Sequence, residues 1–98
     1  MVRHIVFWNL KESAEGADKK INAAKIKAGL EGLVGRIDGL IKAEVMRGYD
    51  PDNYDLCLYS EFTSKQALNS YKENEKHKAV QAFVHKVITD RVAFDCEV

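Results

Sequence analysis

Residues 2 to 10 constrain the fold more than any other stretch of the chain. They are rich in β-branched and aromatic side chains and contain neither glycine nor proline, which predicts a strand. Alternation along a strand places four side chains on one face: His4, Val6, Trp8 and Leu10. Ile5 and Phe7 fall on the other face, so both faces are apolar. A strand of this kind is predicted to be central in its sheet and covered on both sides.

A helix is predicted from Asp18 to Ile37, where the apolar period changes. Apolar residues recur there at three- and four-residue steps, at Ile26, Leu30, Leu33 and Ile37. Lysines fill the opposite side, as expected of a helix that lies on a sheet. The pair Asp38-Gly39 is predicted to end this helix, because glycine readily adopts a left-handed turn.

Two strands are predicted next, at residues 40 to 48 and 54 to 62. The charged positions of the first indicate an edge strand. Leu56 and Leu58 share one face of the second strand, and Cys57 and Tyr59 share the other. The turn at residues 50 to 53 is too short for a crossover, so the two strands should be antiparallel neighbours.

A second helical region begins at residues 63 to 66, where the hydroxyl groups and the glutamine resemble a capping box. Its apolar face contains Tyr71 and is interrupted by the polar residues 72 to 78, within which Asn74 is predicted to cap a second segment. The apolar stripe resumes with Val80, Phe83, Val84, Val87 and Ile88. Residues 91 to 98 are predicted to be the last strand, with Ala93 and Asp95 on one face.

The element order predicts a single α+β domain over residues 1 to 98 with the ferredoxin-like βαββαβ arrangement. Right-handed crossovers place both helices on one face of a four-stranded antiparallel sheet. The other face would expose six side chains: Ile5, Phe7, Cys57, Tyr59, Val92 and Phe94. Because so large an apolar patch rarely remains in water, we expect a twofold homodimer in which two such faces meet, forming a dimeric α/β barrel.

The charge balance argues against two classes of partner. Fifteen basic and fifteen acidic side chains cancel, which removes the electrostatic attraction that non-specific nucleic-acid or anionic-membrane binding requires. Cys57 and Cys96 are expected to be reduced, and no apolar run has the length of a signal core or a membrane span. We therefore expect a cytoplasmic protein that binds neither nucleic acid nor membrane.

Three short motifs resemble the stress-responsive dimeric α/β-barrel domain family over nearly the whole chain. They are the start Arg3-His4-Ile5-Val6, the spacing from Tyr71 to His77, and the closing Phe94-Asp95. A plant polyketide cyclase of that family uses a tyrosine and a histidine at the same spacing to promote an aldol-type ring closure. The chain departs from the family in having Asn74-Glu75 where His-Pro is common. That departure predicts a more helical connection and a narrower pocket.

The resemblance implies a small apolar pocket beside Tyr71 and His77. In this hypothesis His77 is the general base, Tyr71 donates a hydrogen bond to the developing enolate oxygen, and Asp95 orients His77. The expected lining of the pocket is His4, Val6, Trp8, Ile26, Leu30, Leu56, Leu58, Val80 and Phe83. A small apolar or phenolic ligand is expected, and neither a metal nor an organic cofactor is needed.

Each of these residues also has a structural explanation. Tyr71 fits a core residue with its hydroxyl at the rim, His77 a solvated surface histidine, and His4 a hydrogen-bonded core histidine. His85 is interpreted as structural or exposed. At the level of function, a non-catalytic stress-response or ligand-binding dimer and a cofactor-independent monooxygenase remain alternatives to a cyclase or lyase. A filled space beside Tyr71 and His77 would contradict both enzymatic hypotheses.

Overall fold

The computed structural model describes residues 1–98, which form six strands and three helices. The strands are β1 (Val2–Leu10), β2 (Ser13–Ala14), β3 (Ala17–Asp18), β4 (Leu40–Arg47), β5 (Leu56–Phe62) and β6 (Ile88–Glu97). The helices are α1 (Lys19–Glu31), α2 (Lys65–Glu73) and α3 (Glu75–Val87). Four of the strands form one antiparallel sheet in the order β4-β5-β1-β6, and β2 pairs with β3 in a small hairpin. The predicted ferredoxin-like α+β fold is confirmed.

The strand β1 lies inside the sheet, between β5 and β6. Its register places His4 opposite Ser60 on β5 and opposite Asp95 on β6. The side chains that face the helices are buried, and those on the other face are only half-buried. The alternation predicted for residues 2 to 10 is therefore confirmed, and β4 is an edge strand as expected.

The first helix is shorter than predicted. It begins after Asp18, whose side chain accepts a hydrogen bond from the amide of Ile21, and it ends at Glu31 rather than at Ile37. Gly32 caps the helix, and the chain then turns through Gly35 and Gly39, whose φ angles are +84° and +85°. The glycines thus end the regular helix early. The apolar stripe nevertheless continues through the turns, because Leu33 and Ile37 are both buried.

The break in the second helical region occurs at Asn74, as predicted. This residue has extended backbone angles, and its side chain accepts a hydrogen bond from the amide of Lys76, which begins α3. Ser64 caps α2 by accepting a hydrogen bond from the amide of Ala67. The polar residues around Asn74 are helical, so the interruption is a single non-helical residue between two helices.

All of the buried core lies between the sheet and the helices. On the opposite face of the sheet, Phe94 and Val92 on β6 are 60% and 47% exposed. They lie opposite Ile5 and Phe7 in the β1–β6 register, so their side chains form one apolar surface. None of the three helices is long and apolar enough to cross a membrane.

Candidate functional site

A cavity of about 250 Å³ opens between the sheet and α3. Five apolar side chains form its wall: Val6, Trp8, Leu30, Leu58 and Val84. Six polar or charged residues complete the lining: His4, Lys72, His77, Gln81, His85 and Arg91. The cavity is open beside His77, so the filled space that would have contradicted an enzymatic hypothesis is not observed.

Rare side chains are concentrated at this cavity. The chain contains three histidines and one tryptophan, and all four of these residues line it. The chain also contains fifteen acidic residues, none of which is among the eleven that line the cavity. The lining side chains are therefore imidazoles, cations, one amide and apolar groups, and none of them is a carboxylate.

The carboxylate of Asp95 pairs with His4. The ring Nδ1 of His4 and Oδ1 of Asp95 form a hydrogen bond between facing positions of β1 and β6. Lys72 lies on the other side of that carboxylate, with its Nζ 3.7 Å from Oδ2. The prediction that Asp95 orients His77 is wrong, because the strand register brings Asp95 to His4.

Tyr71 and His77 are in direct contact through their rings. Their ring centroids are 4.0 Å apart, and the other side of Tyr71 packs edge-on against Phe62 at 4.9 Å. Phe62 in turn lies 6.4 Å from the ring of His4. A continuous aromatic cluster thus connects the two histidines of the cavity. Tyr71 itself is only 1% exposed and does not line the cavity.

Burial determines the protonation states in this cluster. It lowers the pKa of His77 to about 4, and the neighbouring His4 and Arg91 contribute in the same direction. Burial also lowers the pKa of His4, while the hydrogen bond to Asp95 opposes that shift. The pKa of Tyr71 is raised by burial, so its phenol stays protonated. At neutral pH His77 is therefore a neutral imidazole.

Two buried nitrogen atoms of the cavity residues lack a hydrogen-bond partner. They are Nε1 of Trp8 and Nδ1 of His77. A buried polar atom without a partner costs about 1–3 kcal/mol, so most such atoms in proteins are satisfied. Two of them at the same cavity indicate a place where a ligand could supply the missing hydrogen bonds.

Several predicted lining residues lie elsewhere. Ile26 and Leu56 are core residues, at 0% and 1% exposure, and neither lines the cavity. Val80 packs against Gly29 of α1, and the ring of Phe83 lies under the ammonium group of Lys25. Both side chains therefore pack in the contact between α1 and α3 and do not line the cavity.

Five residues that line the cavity were not predicted: Lys72, Gln81, Val84, His85 and Arg91. The sequence contained a signal for those on α3, because Gln81, Val84 and His85 follow His77 at helical steps of four, seven and eight residues. Arg91 alternates with Ala93 and Asp95 on the helix-facing side of β6. His85 is exposed, as predicted, and lies at the rim of the cavity.

No group of three or more histidine, cysteine, aspartate or glutamate side chains is arranged to hold a metal ion. Both cysteines are free and half-buried. The chemistry that these side chains can supply themselves is proton transfer and hydrogen bonding.

The chain matches the family model of the stress responsive A/B barrel domain over residues 2–98. No curated protein sequence matches it. A dimeric protein of unknown function from Bacteroides fragilis with a ferredoxin-like fold is 26% identical, with a TM-score of 0.87 over 99% of this chain and 95% of that one.

Two further solved structures share the fold at lower identity. A Dabb family protein from Mesorhizobium loti is 19% identical, with a TM-score of 0.77 over 99% of this chain and 95% of that one. A protein from Nitrosomonas europaea, named as a candidate antibiotic biosynthesis monooxygenase, is 15% identical, with a TM-score of 0.79 over 100% of this chain and 98% of that one.

Proposed function

This chain belongs to the stress-responsive A/B barrel domain family, and we propose that it is a homodimer whose cavity binds a small carbonyl compound. We propose further that the protein removes a proton from the carbon atom next to the carbonyl group. The observation that carries the proposal is that His4 and His77 line one cavity together with Trp8, whose indole nitrogen has no hydrogen-bond partner. The step uses side chains alone. The enolate formed in this way could attack a second carbonyl group, which would be the ring closure that the family resemblance implies.

His4 is the better candidate for the general base. Asp95 accepts a hydrogen bond from Nδ1 of His4, so Nε2 is the nitrogen left to take a proton. The carboxylate would also stabilise the imidazolium that forms when the proton arrives. His77, by contrast, has a pKa of about 4 and therefore a weak affinity for protons at neutral pH.

His77 suits the role of a neutral hydrogen-bond donor to the developing enolate oxygen. A neutral imidazole with a depressed pKa can polarise a carbonyl group. We propose Nδ1 of His77 and the indole N–H of Trp8 for that contact, because both residues line the cavity and neither atom has a partner among the side chains. Tyr71 does not line the cavity, and we propose that its buried ring holds the imidazole of His77 in position.

The proposed dimer joins the open faces of two sheets. Phe94 and Val92 are the most exposed aromatic and aliphatic side chains of that face, and they continue the apolar rows of Ile5 and Phe7. Burial of such a surface is favourable at roughly 25 cal/mol per Å². The Bacteroides fragilis structure, which shares the fold and 26% of the sequence, is described as dimeric.

Exchange of carbon-bound hydrogen for deuterium tests the proposed proton transfer with simple model ketones in place of the natural substrate. The protein would be incubated in D₂O with 2-heptanone or 4-hydroxyphenylacetone, and loss of the proton signal beside the carbonyl would be followed by NMR. We expect catalysed exchange, reduced about 10²-fold or more in His4→Gln and Asp95→Asn. Asp90→Asn is the matched control, because Asp90 is an exposed carboxylate on the same strand and does not line the cavity.

Tyr71→Phe tests whether the aromatic ring at residue 71 is sufficient to position His77. It should leave the rate of exchange close to that of the wild type, because the phenylalanine ring keeps the contacts with Phe62 and His77. If the wild-type protein catalyses no exchange of any ketone that binds it, the proton-transfer proposal is wrong.

A non-catalytic ligand-binding dimer is the second candidate function, and the low pKa of His77 favours it. In that case a ketone would shift the NMR signal of Trp8 without any catalysed exchange. A monooxygenase is supported only by fold similarity to the Nitrosomonas europaea protein. Oxygen consumption with a phenolic compound would identify that activity.

A further inference from the structure

The residues around the cavity are graded from apolar and buried to cationic and exposed. Val6, Trp8 and Leu58 are at most 4% exposed. Lys72, His85 and Arg91 are exposed and therefore form the rim. A ligand that enters this cavity places its apolar body inside and its polar end among positive charges.

No acidic side chain balances this rim from within the lining. The ammonium group of Lys72 is partly matched, at 3.7 Å from the Asp95 carboxylate. Arg91 takes part in none of the ion pairs of the chain. Its charge acts on the cavity, since it contributes to the lowered pKa of both His4 and His77.

We propose that the ligand is a small organic acid, with its carboxylate held by Arg91 beside Lys72 at the rim and its carbon chain against Trp8. The planar guanidinium group can bind a carboxylate through two parallel hydrogen bonds. A cavity of about 250 Å³ lies below the range of drug-sized sites, which limits the acid to a short chain or a single ring.

This inference rests on the proposed function, because it names the class of compound that the same cavity accepts. A carboxylate at Arg91 would place the carbonyl-bearing part of a keto acid deeper in the cavity, towards His4 and His77. The class of substrate that follows is therefore a short keto acid rather than a neutral ketone.

The sole tryptophan provides a local readout. Its indole N–H gives a single resonance in a ¹H–¹⁵N spectrum, and Trp8 lines the cavity. Two pairs of compounds of matched shape would be titrated: hexanoate with hexanamide, and phenylacetate with phenylacetamide. We expect each acid to shift this resonance and to bind about fivefold to tenfold more tightly than its amide, as a charge-assisted contact weakened by solvent at an exposed rim allows.

The matched pair of variants is Arg91→Gln and Arg47→Gln. The two arginines occupy the same row of the sheet at opposite edges, Arg91 opposite Trp8 and Arg47 opposite Leu56, and only Arg91 lines the cavity. Arg91→Gln should abolish the preference for the acid, Arg47→Gln should retain it, and Arg91→Lys should restore part of it.

Equal binding of acid and amide, or an unchanged preference in Arg91→Gln, would overturn the proposed acid specificity and leave the cavity as a ligand site. No shift of the Trp8 resonance with any of the four compounds would instead contradict the ligand site of the proposed function, and the acid specificity with it. The two failures are thus distinguishable.

Discussion

His4 and Asp95 are 91 residues apart in the sequence and form a hydrogen bond across the β1–β6 pair. A histidine paired with a carboxylate on one ring nitrogen is a common arrangement for proton transfer. Here both partners are held by neighbouring strands of one sheet. Strands hold side chains more rigidly than loops do, which favours a defined position of the imidazole.

The pKa of His4 should fall further when Asp95 is replaced by asparagine. Asp95 raises that pKa against the effect of burial, so removal of the carboxylate leaves the lowering effects of burial, Lys72 and Arg91 unopposed. NMR titration of the imidazole resonances of Asp95→Asn would measure the change. Asp90→Asn should leave the titration of His4 as in the wild type, and a raised pKa in Asp95→Asn would contradict the pairing.

The stability of the protein should decrease as the pH falls from about 6.5 towards 4, and His77 should account for part of that decrease. The pKa of His77 is about 4 in the folded protein and 6.5 in the absence of the fold. The unfolded chain therefore takes up this proton first, so the free energy of unfolding falls through this window by up to about 3 kcal/mol.

Urea unfolding at pH 7, 5.5 and 4 would measure this dependence. His77→Phe keeps an aromatic ring against Tyr71 and removes the titration, so its stability should depend less on pH than that of the wild type. Some dependence should remain, because the pKa of His4 is also lowered. An equal dependence on pH in His77→Phe and the wild type would contradict the role of His77.

Phe94→Glu should convert the dimer into a monomer. The substitution places a charge within the proposed apolar interface, where it would lose its hydration. Light scattering should give twice the chain mass of 11.1 kDa for the wild type and a single chain mass for the variant. Ala93→Glu is the control: it adds the same charge at the preceding residue, on the opposite face of β6, and this variant should remain dimeric. A monomeric wild type would refute the proposed interface.

Gly29→Ala should destabilise the wild type but stabilise the variant Val80→Ala. A Cβ atom at residue 29 would lie 2.9 Å from Cγ1 of Val80, which is too close for two helices packed in place. Alanine is favoured over glycine in a helix by about 1 kcal/mol, and this gain should appear once the valine methyl groups are removed. Urea unfolding of the two single variants and the double variant gives the coupling, and additive effects would show that α1 and α3 separate easily.

Local patterns in the sequence predicted most of the fold. The alternation of residues 2 to 10 identified the central strand and separated its two faces, and the capping side chain of Asn74 located the break between α2 and α3. The end of α1 was misplaced by six residues, since an apolar stripe that continues through Leu33 and Ile37 fits both a helix and buried turns. Periodicity reports burial, and it does not report which backbone conformation achieves that burial.

The candidate site was only partly predictable. His4, Val6, Trp8, Leu30, Leu58 and His77 line the cavity as expected. Val80 and Phe83 share the apolar stripe of α3, but their side chains contact α1 and not the cavity. The stripe could not predict this, because it does not specify the angle at which the two helices meet. Arg91 and Lys72 were missed because charged residues on an edge strand and at a helix end have no distinctive sequence pattern.

The amino-acid sequence by itself determined the order of the main strands and helices and which of their faces are apolar. These properties follow from short-range periodicity. The tertiary structure alone decided that Asp95 pairs with His4 instead of His77, and that all three histidines meet the single tryptophan in one cavity. Such contacts depend on the register between strands far apart in the chain, and a shift of one residue would turn Asp95 to the opposite face.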